Sequence, residues 1–501
     1  MKSILLLSLS MCWAASTIVG QKKVEIIQSN SLDFDFHVAD AQRLIGNVIL
    51  KYGEVKLYCD SAYKYENQDF DAFGNIRIVQ GDSLNLRGKS LRFTSADKIA
   101  RMRDNVVLQD KDITLTTEFL DYNLDTEQAY YYNGGKMLSR SNQNVLTSAT
   151  GYYDTVSEML FFRKDVELTN PEYQVWSDTL KYNPISEKAF FFGPTNIKSD
   201  NTTIYCENGW YDTKKEICQF NKNAVINSGA NILSGDSIFY DGEQGFGEVF
   251  RNVAISDTTS KYLITGNYGW HHRDNETSFV TGDALMTQAM DQDSLYLHAD
   301  TLRAMPDTLQ LKRIVAYKNA RFFKSDLQGK ADSLIYLQSD STIYFYNNPI
   351  LWSEENQLSG DSIRIKTFEG KIDKLVLNGN SFIISEVVPG KFNQIKGRNM
   401  DGIFRENKLK FVLVKGNGQT VYYPTETDEN DKIRAVGLNK VDCSDLRITI
   451  EENAIQQISF INNPSGKLVP NNLLEEGDEF LEGFLWEIQS RPKSVEDLFK
   501  D

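Results

Sequence analysis

The chain is short of the residues that most folds use for punctuation and for chemistry. Of its 501 residues only 10 are proline, 5 cysteine and 4 histidine. So few prolines leave no proline-rich linker, and no Ser/Gly-rich break replaces one between residue 22 and about 423. The cysteines show no CxxC or Cys/His spacing of the kind that holds zinc. Basic charge is also scarce. Lys+Arg number 54 against 69 Asp+Glu, a net charge of −15. That balance argues against nucleic acid, whose phosphates need basic patches, and against polybasic docking on an anionic membrane. No phrase of the GxSxG, Walker or HExxH kind occurs. Beyond the N-terminus no apolar run is long enough to span a bilayer, so a soluble mature chain is expected. Only one window, near the C-terminus, has apolar residues at helical spacing.

Residues 1–20 have the pattern of a secretory signal. Lys2 precedes an apolar run from Ile4 to Ala15. Met11 stands before Cys12 where lipid attachment wants a small residue, so simple cleavage near Gly20–Gln21 is expected.

What is abundant is repetition. A short phrase recurs along the chain, best seen in Gly235-Asp236-Ser237-Ile238-Phe239-Tyr240 and Ala331-Asp332-Ser333-Leu334-Ile335-Tyr336. With its second position as marker, copies fall at 30, 60, 89, 118, 149, 178, 207, 236, 266, 300, 332, 361, 398 and 444. Most steps are 29 to 32 residues, which signals stacked supersecondary units. The residue before each marker is small, as in Ser29, Cys59, Gly88 and Cys206. Position +2 is usually aliphatic and position +4 usually aromatic. That two-residue spacing predicts one apolar face of a β-strand. A second phrase, as in Gly46-Asn47-Val48 or Arg251-Asn252-Val253, recurs half a period later. Asn, Asp and Gly tolerate positive φ, so it predicts tight turns or bulges. Each period then reads strand, turn, strand, bend, strand. The marker acid reads as a strand-starting device that caps local backbone N–H groups.

Candidate chemistry is thin beside this pattern. His271-His272 reads as a solvated turn pair, and Asp33/Asp35 and Asp291/Asp293 as solvated carboxylates rather than calcium ligands. Gly416-Asn417-Gly418-Gln419 is a turn without the Lys of a phosphate loop. Four cysteines remain after cleavage. They read as small buried residues, with Cys206–Cys218 the pairing that neighbouring strands would allow. No catalytic residue, metal or cofactor is expected, and the chain is read as a non-enzyme.

The run Lys56-Leu57-Tyr58-Cys59-Asp60-Ser61-Ala62, followed by Ala72-Phe73-Gly74-Asn75-Ile76-Arg77-Ile78, resembles the repeat of the OstA family. This family includes LptA-like lipopolysaccharide-transport proteins and the periplasmic part of LptD. The resemblance is strongest over residues 24–260 and persists to about 423. It implies an all-β fold, an elongated, open, V-shaped antiparallel β-jellyroll of about 30-residue repeats. It also implies a periplasmic protein, sheltering lipid A acyl chains in its apolar inside on the way to the outer membrane. The partners implied are lipopolysaccharide and the OstA-like domains of other transport proteins, joined by edge-strand pairing or by head-to-tail self-association. The +2 and +4 columns then name the groove lining as Leu91, Phe93, Leu120, Tyr122, Leu180, Tyr182, Tyr211, Ile238, Tyr240 and Trp270. The central aromatics are expected to stack in a ladder. Two other readings stay open on the residues alone: a structural or adhesive exported solenoid, and a polysaccharide-cleaving β-helix.

The domain expectation is a signal peptide at 1–20 and OstA/LptA-like repeats at 21–260. Degenerate repeats follow at 261–423, then an insertion and a last repeat at 424–470. The tail, 471–501, carries Phe480, Leu481, Phe484, Leu485 and Ile488 at the spacing of a short amphipathic helix, and is expected to cap the C-terminal edge.

Overall fold

A computed structural model describes residues 23–35, 41–141, 143–259, 261–290, 293–368, 371–405, 408–427, 433–451, 454–475 and 477–500. The signal segment with Cys12, and His37 and Asp291, lie outside the described residues. The chain forms two compact units that divide between Ile185 and Ser186.

Unit 1 is an antiparallel meander of β1 (Val24–Gln28), β2 (Ser31–Asp35), β3 (Ala41–Tyr52), β4 (Val55–Lys64), β5 (Phe70–Gln80), β6 (Leu84–Thr94), β7 (Ile99–Asp110), β8 (Ile113–Asn123), β9 (Gln128–Ser139), β10 (Val145–Asp154), β11 (Met159–Thr169) and β12 (Tyr173–Asn183). From β3 on, each strand pairs with the next. Strands β1 and β2 together cover β3.

Unit 2 continues the same plan in β13 (Lys188–Ser199), β14 (Thr202–Asp212), β15 (Ile217–Ser228), β16 (Asn231–Asp241), β17 (Phe246–Asp257), β18 (Tyr262–His272), β19 (Thr277–Ala289), β20 (Ser294–Pro306), β21 (Lys312–Lys324) and β22 (Leu327–Leu337). There the strands split. Strands β23 (Thr342–Tyr346) and β26 (Ser362–Phe368) continue one half of the sheet, and β24 (Ile350–Ser353) and β25 (Asn356–Ser359) the other. Both halves rejoin on β27 (Lys371–Val388), followed by β28 (Lys391–Arg405) and β29 (Lys408–Tyr422). A small hairpin, β30 (Thr425–Thr427) with β31 (Ile433–Ala435), interrupts the order. Strand β32 (Gly437–Glu451) pairs with β29 and carries β33 (Ala454–Ile461) and β34 (Ser465–Pro470).

A period is therefore two long strands, each bent in the middle, and the sequence phrases mark the bends rather than the strand starts. The Gly-Asn phrase is a bulge. Gly74 and Asn75 have φ of 73° and 42°, and Arg251 and Asn252 have 56° and 50°. The pairing register shifts at each of these places. The marker acid lies on the neighbouring strand at the same level. It accepts from the bulge amide: Asn75 Nδ2 donates to Asp60 Oδ2 at 2.8 Å, Asn252 to Asp236 Oδ1 at 2.8 Å, and Asn319 to Asp300 Oδ1 at 2.9 Å. The strand-starting role expected for the marker is corrected accordingly; it is a mid-strand corner tie. Each tie is exposed, so its net worth is about 0.5–1.5 kcal/mol, but it recurs in many of the periods. Gly74 is required here, because a Cβ would sit 2.3 Å from Asp60 Oδ2.

The bulge also flips the alternation, so both halves of a bent strand turn an apolar row to the same interior. In unit 1 one inner row runs Leu44, Ala62, Ala72, Leu91, Met102, Leu120, Tyr131, Gly151, Phe162, Leu180. It contains the +2 column. The +4 column lies on a second, and a third, three residues before the marker, carries Leu57, Leu86, Leu115, Leu146 and Val175 on the other half. Gly151, a gap in the +2 column, makes room for the Tyr131 ring, which a Cβ there would meet at 2.1 Å.

The tail holds no amphipathic helix among its described residues. It has only 3-10 turns at Asn471–Leu473, Ile488–Ser490 and Glu496–Phe499. Nor does it lie along the edge strands β33 and β34. It crosses the outer side of unit 2, where the spaced aromatics meet Phe392 instead of a helix partner. No helix among the described residues is long and apolar enough to cross a membrane.

Candidate functional groove

The interior differs along the chain. In unit 1 the two halves of the bent sheet close on each other. Leu91, Phe93, Leu120, Tyr122 and Leu180 are all buried, at 2% exposure or less. The mouth between the halves is stitched at intervals. The Tyr52 and Phe93 rings meet at 5.3 Å. Tyr122 donates its hydroxyl to Gln80 Oε1 at 2.9 Å, and Tyr153 to Asp110 Oδ2 at 2.8 Å. Each stitch joins an aromatic at +4 to the far end of a strand in the opposite half. Burial raises the Tyr122 and Tyr153 phenols well above their ordinary range, and the Asp110 carboxylate adds to the rise at Tyr153. Tyr131, held to Ser148 Oγ at 2.5 Å, is pushed up to about 12 by burial.

In unit 2 the corresponding rows open. The +4 row reads Ala189, Tyr211, Cys218, Tyr240, Gly247, His271, Ser278 and Ala304. The facing row reads Ile197, Ile204, Ile226, Leu233, Ile255 and Ile264. Tyr211, Tyr240, Ile204, Ile226 and Leu233 are half-buried and His271 is exposed, whereas the +2 row beneath, with Ile238 and Val249, stays buried. Small residues separate the tyrosines, so the row is a notched wall. The expected continuous aromatic ladder is corrected here, since Cys218 stands between Tyr211 and Tyr240. The opening goes with a change five residues before the marker. Unit 1 has Val55, Leu84 and Ile113 there, all buried, and then Asn144 and Tyr173 in its last two periods. Unit 2 has Thr202 and Asn231, and Thr202 Oγ1 bonds sideways to Ser228 Oγ at 3.3 Å. Further on the mouth closes again, where the Lys312 ammonium lies 3.8 Å from the Tyr262 ring centroid. Burial lowers the Lys312 amine below its usual range.

The named lining residues divide on these facts. Leu91, Phe93, Leu120, Tyr122 and Leu180 lie in the sealed interior of unit 1, and Tyr182 is half-buried at its end. Ile238 forms the floor of the open stretch, and Tyr211 and Tyr240 its wall. Trp270 does not face the interior. Gly266, opposite Val253, is the small residue of that repeat, which makes Asn267 the marker. Asn267 Nδ2 accordingly bonds the bulge residue Asp283 Oδ2 at 3.1 Å. Trp270 is thus at +3, on the outer face. It stacks on Phe279 at 5.5 Å beneath the Arg303 guanidinium. The sequence reading missed the facing row and the position five before the marker, although Leu57, Leu86 and Leu115 recur as regularly as the +2 column.

All four cysteines among the described residues are free and buried. Cys206 and Cys218 are on adjacent strands, but Cys218 is paired opposite Tyr211 and not Cys206; the alternative disulfide does not form, and both are small buried residues as expected. Burial pushes their thiols up to about 11 and about 12. No group of His, Cys, Asp and Glu among the described residues is placed to hold a metal ion.

An antiparallel sheet bent at regular corners around an apolar inside is an all-β jellyroll of repeated corners. Residues 21–178, in unit 1, match the family described as OstA-like protein. Residues 271–371, in unit 2, match the family described as LptA/(LptD N-terminal domain) LPS transport protein. Among solved structures the chain is similar to LptH, the LptA homologous periplasmic component of the conserved lipopolysaccharide transport device from Pseudomonas aeruginosa. Identity is 19%, over 21% of this chain and 74% of that one, with a TM-score of 0.19. No curated protein matches the chain.

Proposed function

We propose that this chain is a non-enzymatic periplasmic protein that shelters lipopolysaccharide on its way to the outer membrane. Its acyl chains lie in the open stretch of unit 2. One observation carries the reading: between residues 189 and 271 the large side chains Tyr211, Tyr240, Ile204, Ile226, Leu233 and Ile255 of the two facing rows are partly exposed, while most of their counterparts in unit 1 are buried. A water-exposed apolar wall is costly unless something apolar covers it, and each buried CH₂ of an acyl chain contributes about 0.8 kcal/mol. Flanking tyrosines and notches of Cys218 and Gly247 suit a flexible, multi-chain ligand better than a fixed one. An export signal and pairing with OstA-like domains of transport partners fit the same reading.

Site-specific photo-crosslinking in living cells tests it. A crosslinking residue at 211 or 240 is expected to trap lipopolysaccharide. The same residue at 93 or 122, in the sealed interior, or at the outward position 239, is expected to trap far less. Equal trapping at 239 and 240 would overturn the assignment of the groove.

A further inference from the structure

Residues 478–499 run as an irregular strap, with turns at 481–484, 488–490 and 496–499, over the outer side of unit 2 without adding a strand to it. Its contacts step backwards through the sheet. Lys467 Nζ on β34 donates to Asp478 Oδ1 at 2.6 Å. Gln394 on β28 brackets the strap backbone, donating Nε2 to the Glu479 carbonyl at 2.7 Å and accepting the Leu481 N–H at 2.8 Å. Gln357 on β25 does the same between the Leu485 carbonyl, at 2.7 Å, and the Glu487 N–H, at 2.8 Å. Gln328 on β22 accepts from Arg491 Nε at 2.8 Å. Phe499 finally rests on His298 of β20, ring centroids 4.5 Å apart.

The three glutamines belong to one outer row, Gln328, Trp352, Gln357, Ile384, Gln394, Val421, set by the strand register. A primary amide offers both a donor and an acceptor, so Gln394 and Gln357 each bracket a short stretch of strap backbone, while Gln328 holds the Arg491 side chain. Between them lie apolar seats. Charge fits as well. In a chain of net −15, Lys330 and Lys391 pair with Glu487 and Glu479, and Lys396 Nζ bonds the Glu482 carbonyl at 2.8 Å.

We propose that this outer face is a recognition surface for an irregular acidic and aromatic segment, and that two copies of the chain exchange residues 478–499 onto it. Three observations carry this. The strap contributes no strand, so it can leave without unravelling the sheet. Its departure would bare Trp352, Ile384 and Val421, now at 1% exposure or less, so the face needs an occupant of the same kind. A second copy presents that occupant with every glutamine and lysine contact intact, which is the condition for low-cost exchange. The connector favours it. Leu473, Glu475 and Gly477 are exposed, and Gly477 has φ +93°, a conformation suited to a hinge.

The test uses the full mature chain. Lys391→Cys and Glu479→Cys are made separately and together, the native cysteines among the described residues being buried. The double variant is expected to close an internal disulfide, which shows that both positions fold. The two single variants, mixed and oxidised, are expected to form a disulfide-linked dimer whose yield rises with protein concentration. It is expected to fall when a synthetic peptide of residues 478–500 is added in excess. Two results would overturn the proposal. One is a double variant that fails to close. The other is mixed single variants that give no more dimer than a control pair of Lys198→Cys with Glu479→Cys.

Discussion

Units 1 and 2 use the same corner, the same period and the same inner +2 row, yet one interior is sealed and the other is open over β13 to β18. The difference comes from two columns. Where the far end of a strand carries Val55, Leu84 or Ile113, the halves meet, and Tyr122 and Tyr153 find partners across the mouth. Where Thr202 and Asn231 stand instead, Tyr240 turns to Arg273, whose Nη1 donates to its hydroxyl at 3.2 Å. A repeat can thus pass from sealed core to open cleft by changes in two columns, with its backbone plan untouched.

The strongest test of this contrast is a buried charge. Leu120→Asp puts a carboxylate into the sealed interior with no route to water. It should cost several kcal/mol and unfold unit 1 in denaturant titrations at neutral pH. Ile204→Asp, on the half-exposed wall of unit 2, should leave the folded signal in place and lower the midpoint only slightly. Equal losses would mean that unit 2 is as closed as unit 1. Next in size is the stitch. Tyr153→Phe removes the hydroxyl that satisfies Asp110, a carboxylate 3% exposed whose Oδ1 has no partner. A loss of about 1–3 kcal/mol is expected. Tyr240→Phe, its counterpart in the open stretch, should stay within about 0.5 kcal/mol.

The comparison can also be run in reverse. Thr202→Val with Asn231→Leu restores the apolar column of unit 1. Thermal unfolding should then shift upward, by about 2–4 °C per kcal/mol gained, while lipid crosslinking at 211 and 240 falls. Higher stability with unchanged crosslinking would separate the column from the groove. The smallest effect concerns thiols. Burial pushes Cys59 and Cys218 up to about 12, so both stay protonated at neutral pH and alkylate slowly. In the unfolded chain a thiol ionises near pH 8.5, so the raised folded values weaken the fold only as pH climbs above that point. Cys218, on the open row, should alkylate before Cys59; the opposite order would argue that unit 1 opens more readily.

Much of this was legible in the residues. The period, the strand character and the inward +2 column follow from alternation alone, and the count of copies makes a degenerate phrase specific. The corner was harder. A Gly-Asn pair predicts a tight turn or a bulge, and only the pairing register shows that the strand passes through it and goes on. Trp270 was misplaced because Thr265 and Gly266 are both small, so the marker could be set one residue early, and a one-residue slip changes the face. The strap could not be read from spacing, because Phe480, Leu481, Phe484 and Leu485 match a helix period while the chain between them makes a single tight turn at the left-handed Gly483, with Phe484 N–H on the Leu481 carbonyl, and Gln394 and Gln357 hold the backbone on either side.

The corners have one more consequence. Each fixes a bend by local means, a pair of left-handed residues and one side-chain tie, and leaves the strands on either side to pair as usual. A period can therefore be copied or deleted whole without recutting its neighbours. Two strand spacings of about 4.8 Å make each period worth about 10 Å of stack. For a molecule of this construction, the distance to be covered is written in the gene as a number of repeats, and evolution can lengthen or shorten the span as one adjusts a chain by its links.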